Sequence, residues 1–121
     1  MTTAHVAALL DRFARAWQEL DGEQVISCFA DSPTTTVIGT DEGEYFEGWD
    51  AYAQSWRSGR PSHVEKFFWN DSHHVDVVGD VAWAHGVIDF DITSNARWNG
   101  FTESMRLMLS SSMFTNFSAS L

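Results

Sequence analysis

The side chains with the clearest chemical potential alternate along residues 81–91. In an extended strand every second side chain lies on the same face. One face then carries a histidine and two acids among bulky apolar residues, namely Trp83, His85, Val87, Asp89 and Asp91. Because imidazole titrates near neutrality, His85 is the candidate general acid or base, and Asp89 is a second acid or base or orients a polar group of the ligand. The two lie roughly 13 Å apart at the rise of a strand, so a substrate would have to lie between them.

A second cluster, residues 73–76, reads His-His-Val-Asp. Neighbouring residues of a strand point to opposite faces, so His73 and His74 cannot easily share one ion. His74 and Asp76 share a face but supply only two ligands, and the sequence has no cysteine or histidine pairs at zinc-finger spacing. Phosphate-binding and dinucleotide-binding glycine motifs are absent as well. We therefore expect neither a metal nor a cofactor.

The charge balance excludes several classes of partner. The 121 residues include 17 acidic against 7 basic ones, for a net charge of −10. Binding to nucleic acid or to an anionic membrane surface requires a basic patch, so neither is expected. The one cysteine, Cys28, cannot form a disulfide within the chain. With no signal peptide and no apolar run of membrane-spanning length, the sequence predicts a single cytoplasmic domain over residues 1–121.

Hydrophobic periodicity predicts three helices before residue 60. Apolar residues spaced by three and four, including Phe13 and Trp17, predict a helix over 4–20 with Thr3 as its N-cap. Asp21 and Gly22 break this pattern, and a shorter helix is expected over 23–30. The third helix spans 49–58, where Trp56 shares an apolar face, and a Gly-Arg-Pro sequence ends it.

The remaining sequence predicts strands. Two short ones are expected at 34–38 and 44–46. From residue 63 the period becomes two, and longer strands are expected at 63–78, 81–93 and 101–109, with a short final strand at 113–117. The first of the longer strands is either continuous or divided near Asn70. Helices first and an antiparallel meander afterwards predict an α+β fold.

The turn at Gly79 and Asp80 decides which residues share a face, and the sequence leaves two alternatives open. A two-residue loop pairs Val77 with Ala82, whereas a three-residue loop that includes Val81 pairs Val77 with Trp83. Directly paired residues lie on the same face of the sheet. Only the longer loop would place His73 and His85 on one side.

The order of these elements resembles the SnoaL-like, ketosteroid-isomerase-like branch of the nuclear transport factor 2-like superfamily. The resemblance covers about residues 4–109. It depends on an ordered combination of short segments, namely Leu20–Gly22, Val25–Asp31, Gly39–Gly43, Glu47–Trp49 and Val78–Trp83.

The resemblance implies a cone, in which a strongly curved antiparallel sheet wraps over three N-terminal helices and leaves a pocket at the wide end. It directs the side chains of Trp83, His85, Val87 and Asp89 into this pocket. The helix residues that would close it from below are Phe13, Trp17 and Trp56. His73 and Asp71 are further candidates, because an irregular strand near Asn70 can turn either of them toward the pocket.

The resemblance also implies partners. Many members bind or transform small hydrophobic molecules, and members are commonly dimers. The opposite face of the same strand would then lie outside the cone and form the dimer contact, because its small apolar residues are poorly suited to water. These residues are Ala82, Ala84, Gly86, Ile88 and Phe90.

Departures from the ketosteroid isomerases restrict what the resemblance implies. Their oxyanion-donating tyrosine corresponds to Phe13, and the segment 34–38 has no carboxylate to act as their general base. The isomerase mechanism therefore does not transfer. Two hypotheses follow. One is a protein that binds a small hydrophobic molecule, as a pure binder or as an isomerase, cyclase or hydrolase. The alternative is a non-catalytic dimerising scaffold with a vestigial cavity.

Overall fold

The structure is a computed structural model. It describes the backbone of residues 2–39, 43–59, 63–93 and 102–109, and the side chains of these residues other than 63–65, 71–72, 92–93 and 102–109. The predicted final strand at 113–117 lies outside the described residues. Within them, helices and antiparallel strands form the predicted α+β fold.

Helix α1 spans Thr3–Gln18 and buries the apolar face that its periodicity predicts. Its N-cap is Thr2, one residue before the predicted Thr3, and the Thr2 side chain accepts a hydrogen bond from the backbone N–H of His5. The helix ends before Leu20, which has a left-handed φ of 53°. A leucine is uncommon in this region of φ, and the helical hydrogen bonds cannot continue through it.

The second and third helices are shorter. Helix α2 spans Gly22–Ser27, and Asp21 caps it by accepting a hydrogen bond from the Gln24 backbone N–H. Helix α3 spans Trp49–Arg57. The indole N–H of Trp49 donates to the carbonyl of Ile26 at 2.8 Å and so joins α3 to α2. None of the helices in the described ranges is long and apolar enough to cross a membrane.

The strands form two antiparallel arrangements. A short hairpin pairs β1, Thr36–Ile38, with β2, Tyr45–Glu47. The longer strands are β3, His63–Val78, then β4, Val81–Thr93, and β5, Thr102–Leu109. Their order is β3-β4-β5, so the meander predicted from the period-two pattern is confirmed for the described residues.

The turn between β3 and β4 has two residues. Val78 pairs with Val81 and Val77 with Ala82, which selects the shorter of the two predicted loops. Gly79 has a φ of 59°, and a type II′ turn places glycine at this first loop position. This turn therefore places the even-numbered residues of β4 on the same face as Val75 and Val77.

That shared face packs against the helices, and so the predicted orientation of β4 is wrong. Ala84, Ile88 and Phe90 are buried, whereas Trp83 and His85 are exposed on the opposite face. The row of small residues expected at a dimer contact lies in the core instead. We call the side that packs on α1 the helix-facing side of the sheet, and the opposite side its outer face.

Strand β3 is continuous but irregular. Its register against β4 shifts by one residue between Val64 and Lys66, and by two between Asn70 and His74. Such bulges bend a strand and increase its twist. The second bulge lies next to His73, where the sequence analysis expected an irregularity.

Candidate functional site

A cluster of aromatic rings lies between α1, α3 and the sheet. We call it the aromatic cluster, and its members are Phe13, Trp17, Phe29, Tyr52, Trp56, Phe67 and Phe90. Trp17 is stacked on Phe67 with centroids 4.9 Å apart, and it meets Trp56 edge to face at 4.5 Å. The three helix residues predicted to line a pocket therefore lie on the helix-facing side in this one cluster.

Phe67 connects this cluster to the sheet. Its ring contacts Phe13 at 6.1 Å and Phe90, its cross-strand partner, at 5.5 Å. Its backbone N–H donates to the side-chain oxygen of Gln18 on α1. Phe67 was not predicted as a site residue, because the run Phe67-Phe68-Trp69 is apolar on both faces and gives no preference for either.

His73 is the histidine that the structure brings to the helix-facing side. Its side chain is 12% exposed, and its Nε2 lies 3.0 Å from Oδ1 of Asp11 on α1. An ionised carboxylate only accepts hydrogen bonds, so Nε2 carries the proton in this pair. The ring also meets Trp69 edge to face at 5.2 Å. A carboxylate that orients an imidazole is an arrangement found in acid–base catalysis, although Asp11 is 67% exposed here.

Four further predicted site residues lie on the outer face, so the expectation that they line a cavity is wrong: Trp83, His85, Val87 and Asp89. The side chain of Asp71, a further candidate, lies outside the described residues. Trp83 is 41% exposed. His85 is exposed and stacked on His74, Val87 is partly buried, and Asp89 accepts a hydrogen bond from the Asn70 side chain. The cause is the two-residue turn, which pairs Val77 with Ala82 and so places the even-numbered residues of β4 on the helix-facing side.

A groove opens at the surface where α1 and α3 end and α2 begins. Its volume is about 650 Å³. It is lined by the end of α1, the start of α2 and the end of α3, through Glu19, Leu20, Asp21, Gly22, Glu23, Trp56 and Arg57. Trp56 is the aromatic residue of this lining, and the same indole packs on Trp17. The groove therefore connects the surface to the aromatic cluster.

Gly22 allows the start of α2 to lie close to the Trp56 indole. A Cβ atom at this position would lie 3.0 Å from Cε3 of Trp56, which is tighter than ordinary contact. The absence of a side chain lets the backbone at the start of α2 lie against the indole. The sequence signal was the Asp21-Gly22 pair, which predicted only a break between helices.

The groove has an acidic rim. Among the described lining residues, the acidic ones are Glu19, Asp21 and Glu23 and the basic one is Arg57, whose Nη2 lies 3.1 Å from Glu23 Oε1. The Arg57 guanidinium also lies over the Trp49 ring, 5.7 Å from its centroid. Since Arg57 is paired with Glu23, the described part of the rim presents net negative charge to any ligand that enters.

Comparison with known proteins identifies the family. The model of the SnoaL-like domain matches residues 6–117. The chain belongs to the SnoaL-like family. No protein with a curated description matches it in sequence.

Solved structures show the fold that this SnoaL-like chain shares with other proteins. A nuclear transport factor 2-like superfamily protein from Salmonella enterica serovar Typhimurium is similar with a TM-score of 0.72 and 18% identity, over 89% of this chain and 75% of that one. A nuclear transport factor 2-like protein of unknown function from Pseudomonas putida has a TM-score of 0.64 and 19% identity, over 89% and 73%. A third nuclear transport factor 2-like protein of unknown function, from Shewanella oneidensis, has a TM-score of 0.55 and 17% identity, over 91% of this chain and 86% of that one.

Phe13 and Cys28 of this SnoaL-like domain contribute to its core. Phe13 is buried and packs edge to face on Phe29 with centroids 5.9 Å apart. Cys28 is fully buried, and burial raises the pKa of its thiol above the ordinary value. A buried thiol with a raised pKa is a poor nucleophile, so Cys28 serves as a core residue.

Proposed function

We propose that this SnoaL-like domain binds a small molecule with an apolar, ring-sized body in the groove above Trp56. The continuity of Trp56 with the aromatic cluster is the observation that carries this proposal. The groove volume of about 650 Å³ lies within the range of small-molecule sites, about 300–1,000 Å³. A ligand ring would contact the Trp56 indole, and its polar group would remain at the rim.

The charge of the rim selects among such ligands. A carboxylate or phosphate would lie beside Glu19, Asp21 and Glu23 on a chain of net charge −10, and like charges repel. A neutral or cationic group meets no such cost. Asp21 caps α2 and Glu23 pairs with Arg57, so we assign the contact with the ligand's polar group to Glu19.

Binding without acid–base chemistry is the form of this function that the geometry favours. The pair formed by His73 and Asp11 lies elsewhere, because Asp11 is eight residues before Glu19, about 12 Å along the axis of α1. His85 and Asp89 lie on the outer face. Neither arrangement reaches a ligand in the groove.

The test uses three naphthalene probes of similar size and different charge: 2-naphthylmethanol, 2-naphthylmethylammonium and 2-naphthoate. Binding is followed by the indole N–H signals in ¹H–¹⁵N spectra, and Trp56→Phe assigns the signal of Trp56. We expect the neutral and cationic probes to shift this signal and naphthoate to bind more weakly. Glu19→Gln should weaken the binding of the cationic probe by about two- to fivefold, which is the effect of removing one exposed charge. The proposal is wrong if no probe moves the Trp56 signal or if naphthoate binds best.

Self-association through the outer face of the sheet is a second candidate function. Phe68 and Trp83 are 47% and 41% exposed there, and Val87 lies between them on the same face. Exposed aromatic residues grouped on one face are typical of interaction surfaces. Sedimentation velocity in EDTA should show a dimer that Trp83→Ala weakens. The matched control is Tyr45→Ala, at an exposed aromatic of the β1–β2 hairpin. Monomers at all concentrations would contradict this function.

A further inference from the structure

Two histidines lie directly opposite each other on the outer face. His74 of β3 pairs in register with His85 of β4, and both side chains are exposed. Their rings are nearly parallel, with centroids 4.8 Å apart and planes inclined by 20°. The pairing of these two residues was not predicted from the sequence, because it follows from the two-residue turn and the bulge before His74.

The spacing of the two rings suits a shared metal ion. Neutral imidazole is a common metal ligand, and zinc lies about 2.0–2.1 Å from the ligating nitrogen. Two imidazoles on one ion then have centroids about 5 Å apart, close to the observed 4.8 Å. The backbone is fixed by the pairing of β3 with β4, so only rotations of two exposed side chains are needed to direct both nitrogens at one ion.

One chain supplies only half of such a site. Within the described residues, no group of three or more histidine, cysteine, aspartate or glutamate side chains could hold a metal ion. Zinc bound by protein side chains alone is almost always four-coordinate. A face that carries two ligands is completed when a second copy of the same face supplies two more. A two-fold interface brings identical residues of the two chains together where they lie on its axis.

We propose that His74 and His85 of two chains hold one divalent transition-metal ion between their outer faces. This inference rests on the self-association proposed above and adds what joins the two chains. The charge of the protein supports it, because two chains of net charge −10 repel each other and an ion of charge +2 at their contact offsets part of that repulsion. Trp83 and Val87 flank His85 on β4 and would exclude water around the ion.

The test uses Zn²⁺ and the whole chain. Calorimetric titration of metal-free protein should give one Zn²⁺ per two chains, and sedimentation should show a dimer with Zn²⁺ that EDTA weakens. Co²⁺ should produce the intense visible bands of tetrahedral coordination. His74→Gln and His85→Gln should each weaken Zn²⁺ binding at least about tenfold, as the loss of a ligand does. His5→Gln is the matched control, since His5 is exposed on α1.

The possible outcomes separate this inference from the self-association on which it rests. If both glutamine variants bind Zn²⁺ as the unaltered chain does, the ion lies elsewhere and the inference is wrong. One Zn²⁺ per monomeric chain also overturns it. A dimer in EDTA that Zn²⁺ leaves unchanged retains self-association and eliminates the metal site. Monomers in EDTA that become dimers with Zn²⁺ support the metal site and show that the apolar contacts alone are insufficient.

Discussion

Replacing Gly86 with alanine should destabilise the protein by crowding Trp69. Gly86 is on the helix-facing side of β4, and a Cβ atom there would lie 2.7 Å from Cζ3 and 2.9 Å from Cε3 of the Trp69 indole. The same atom would lie 3.3 Å from Cβ of His73. The indole cannot move away without weakening the hydrogen bond that its Nε1 donates to the carbonyl of Leu10 at 3.1 Å.

The size of the effect follows from three contributions. Overpacking a tight site costs about 1–3 kcal/mol. Loss or weakening of the hydrogen bond between Trp69 and Leu10 costs about 0.5–1.5 kcal/mol more. Alanine restricts the unfolded chain more than glycine does, and this offsets about 0.4–1 kcal/mol of the loss. The gain applies here because the φ of Gly86 is not positive, so alanine can adopt it. The expected net loss in the free energy of unfolding for Gly86→Ala is therefore about 2 kcal/mol.

Urea denaturation followed by far-ultraviolet circular dichroism measures this loss, and a double-mutant cycle assigns its cause. In a Trp69→Leu background the crowding atoms are gone, so Gly86→Ala should cost little or should stabilise. A coupling of about 2 kcal/mol between the two sites is expected. An unchanged free energy of unfolding for Gly86→Ala, or an equal loss in both backgrounds, would refute the reasoning.

Three further predictions concern the core and its link to α1. Phe13→Ala should lower the free energy of unfolding by about 3–5 kcal/mol in the same assay, because it leaves a cavity among buried rings. The Cys28 thiol should react with a disulfide reagent only as fast as the protein opens; rapid labelling of the folded protein would contradict this. Because burial raises its pKa, Cys28 favours the fold below the pKa of the unfolded thiol, and this stabilisation is lost as pH rises through the higher folded pKa. Asp11→Asn should lower the free energy of unfolding by less than about 1 kcal/mol, because the Asp11 carboxylate that contacts His73 is exposed and screened by solvent. A larger loss would show that solvent does not screen the pair.

The helices were predictable from the sequence because their signals are local. The spacing of Phe13 and Trp17 and the break at Asp21-Gly22 define α1 without any knowledge of its neighbours. The predicted end at residue 20 was too late only because Leu20 adopts a left-handed φ, which leucine rarely does. The burial of Phe13, Trp17 and Trp56 follows from the same periodicity.

The faces of β4 were not predictable because both carry bulky apolar residues. Trp83 and Val87 on one side compete with Ile88 and Phe90 on the other, so alternation defines two faces without showing which is buried. The turn at Gly79 makes the choice, because it pairs Val77 with Ala82 and so places the even-numbered residues of β4 on the face that carries Val75 and Val77. The assignment of His85 to a pocket therefore failed through one residue of loop length.

The groove was missed for a different reason. Its lining comes from the ends of three helices, and periodicity describes the middle of a helix rather than the place where its end lies. The nearness of Gly22 and Trp56 requires the packing of α2 on α3, which includes the hydrogen bond from Trp49 to Ile26. A sequence read one element at a time contains no such information.

The irregularity between Asn70 and His74 restricts how the length of this strand can change in evolution. Two extra residues on β3 shift the register by an even number, so Trp69 before the bulge and Val75 after it both remain on the helix-facing side. An insertion or deletion of a single residue would instead turn the hairpin tip over, burying His74 and exposing Val75 and Val77. Viable length variants at this point should therefore differ by pairs of residues, and a deletion of two should be tolerated better than a deletion of one.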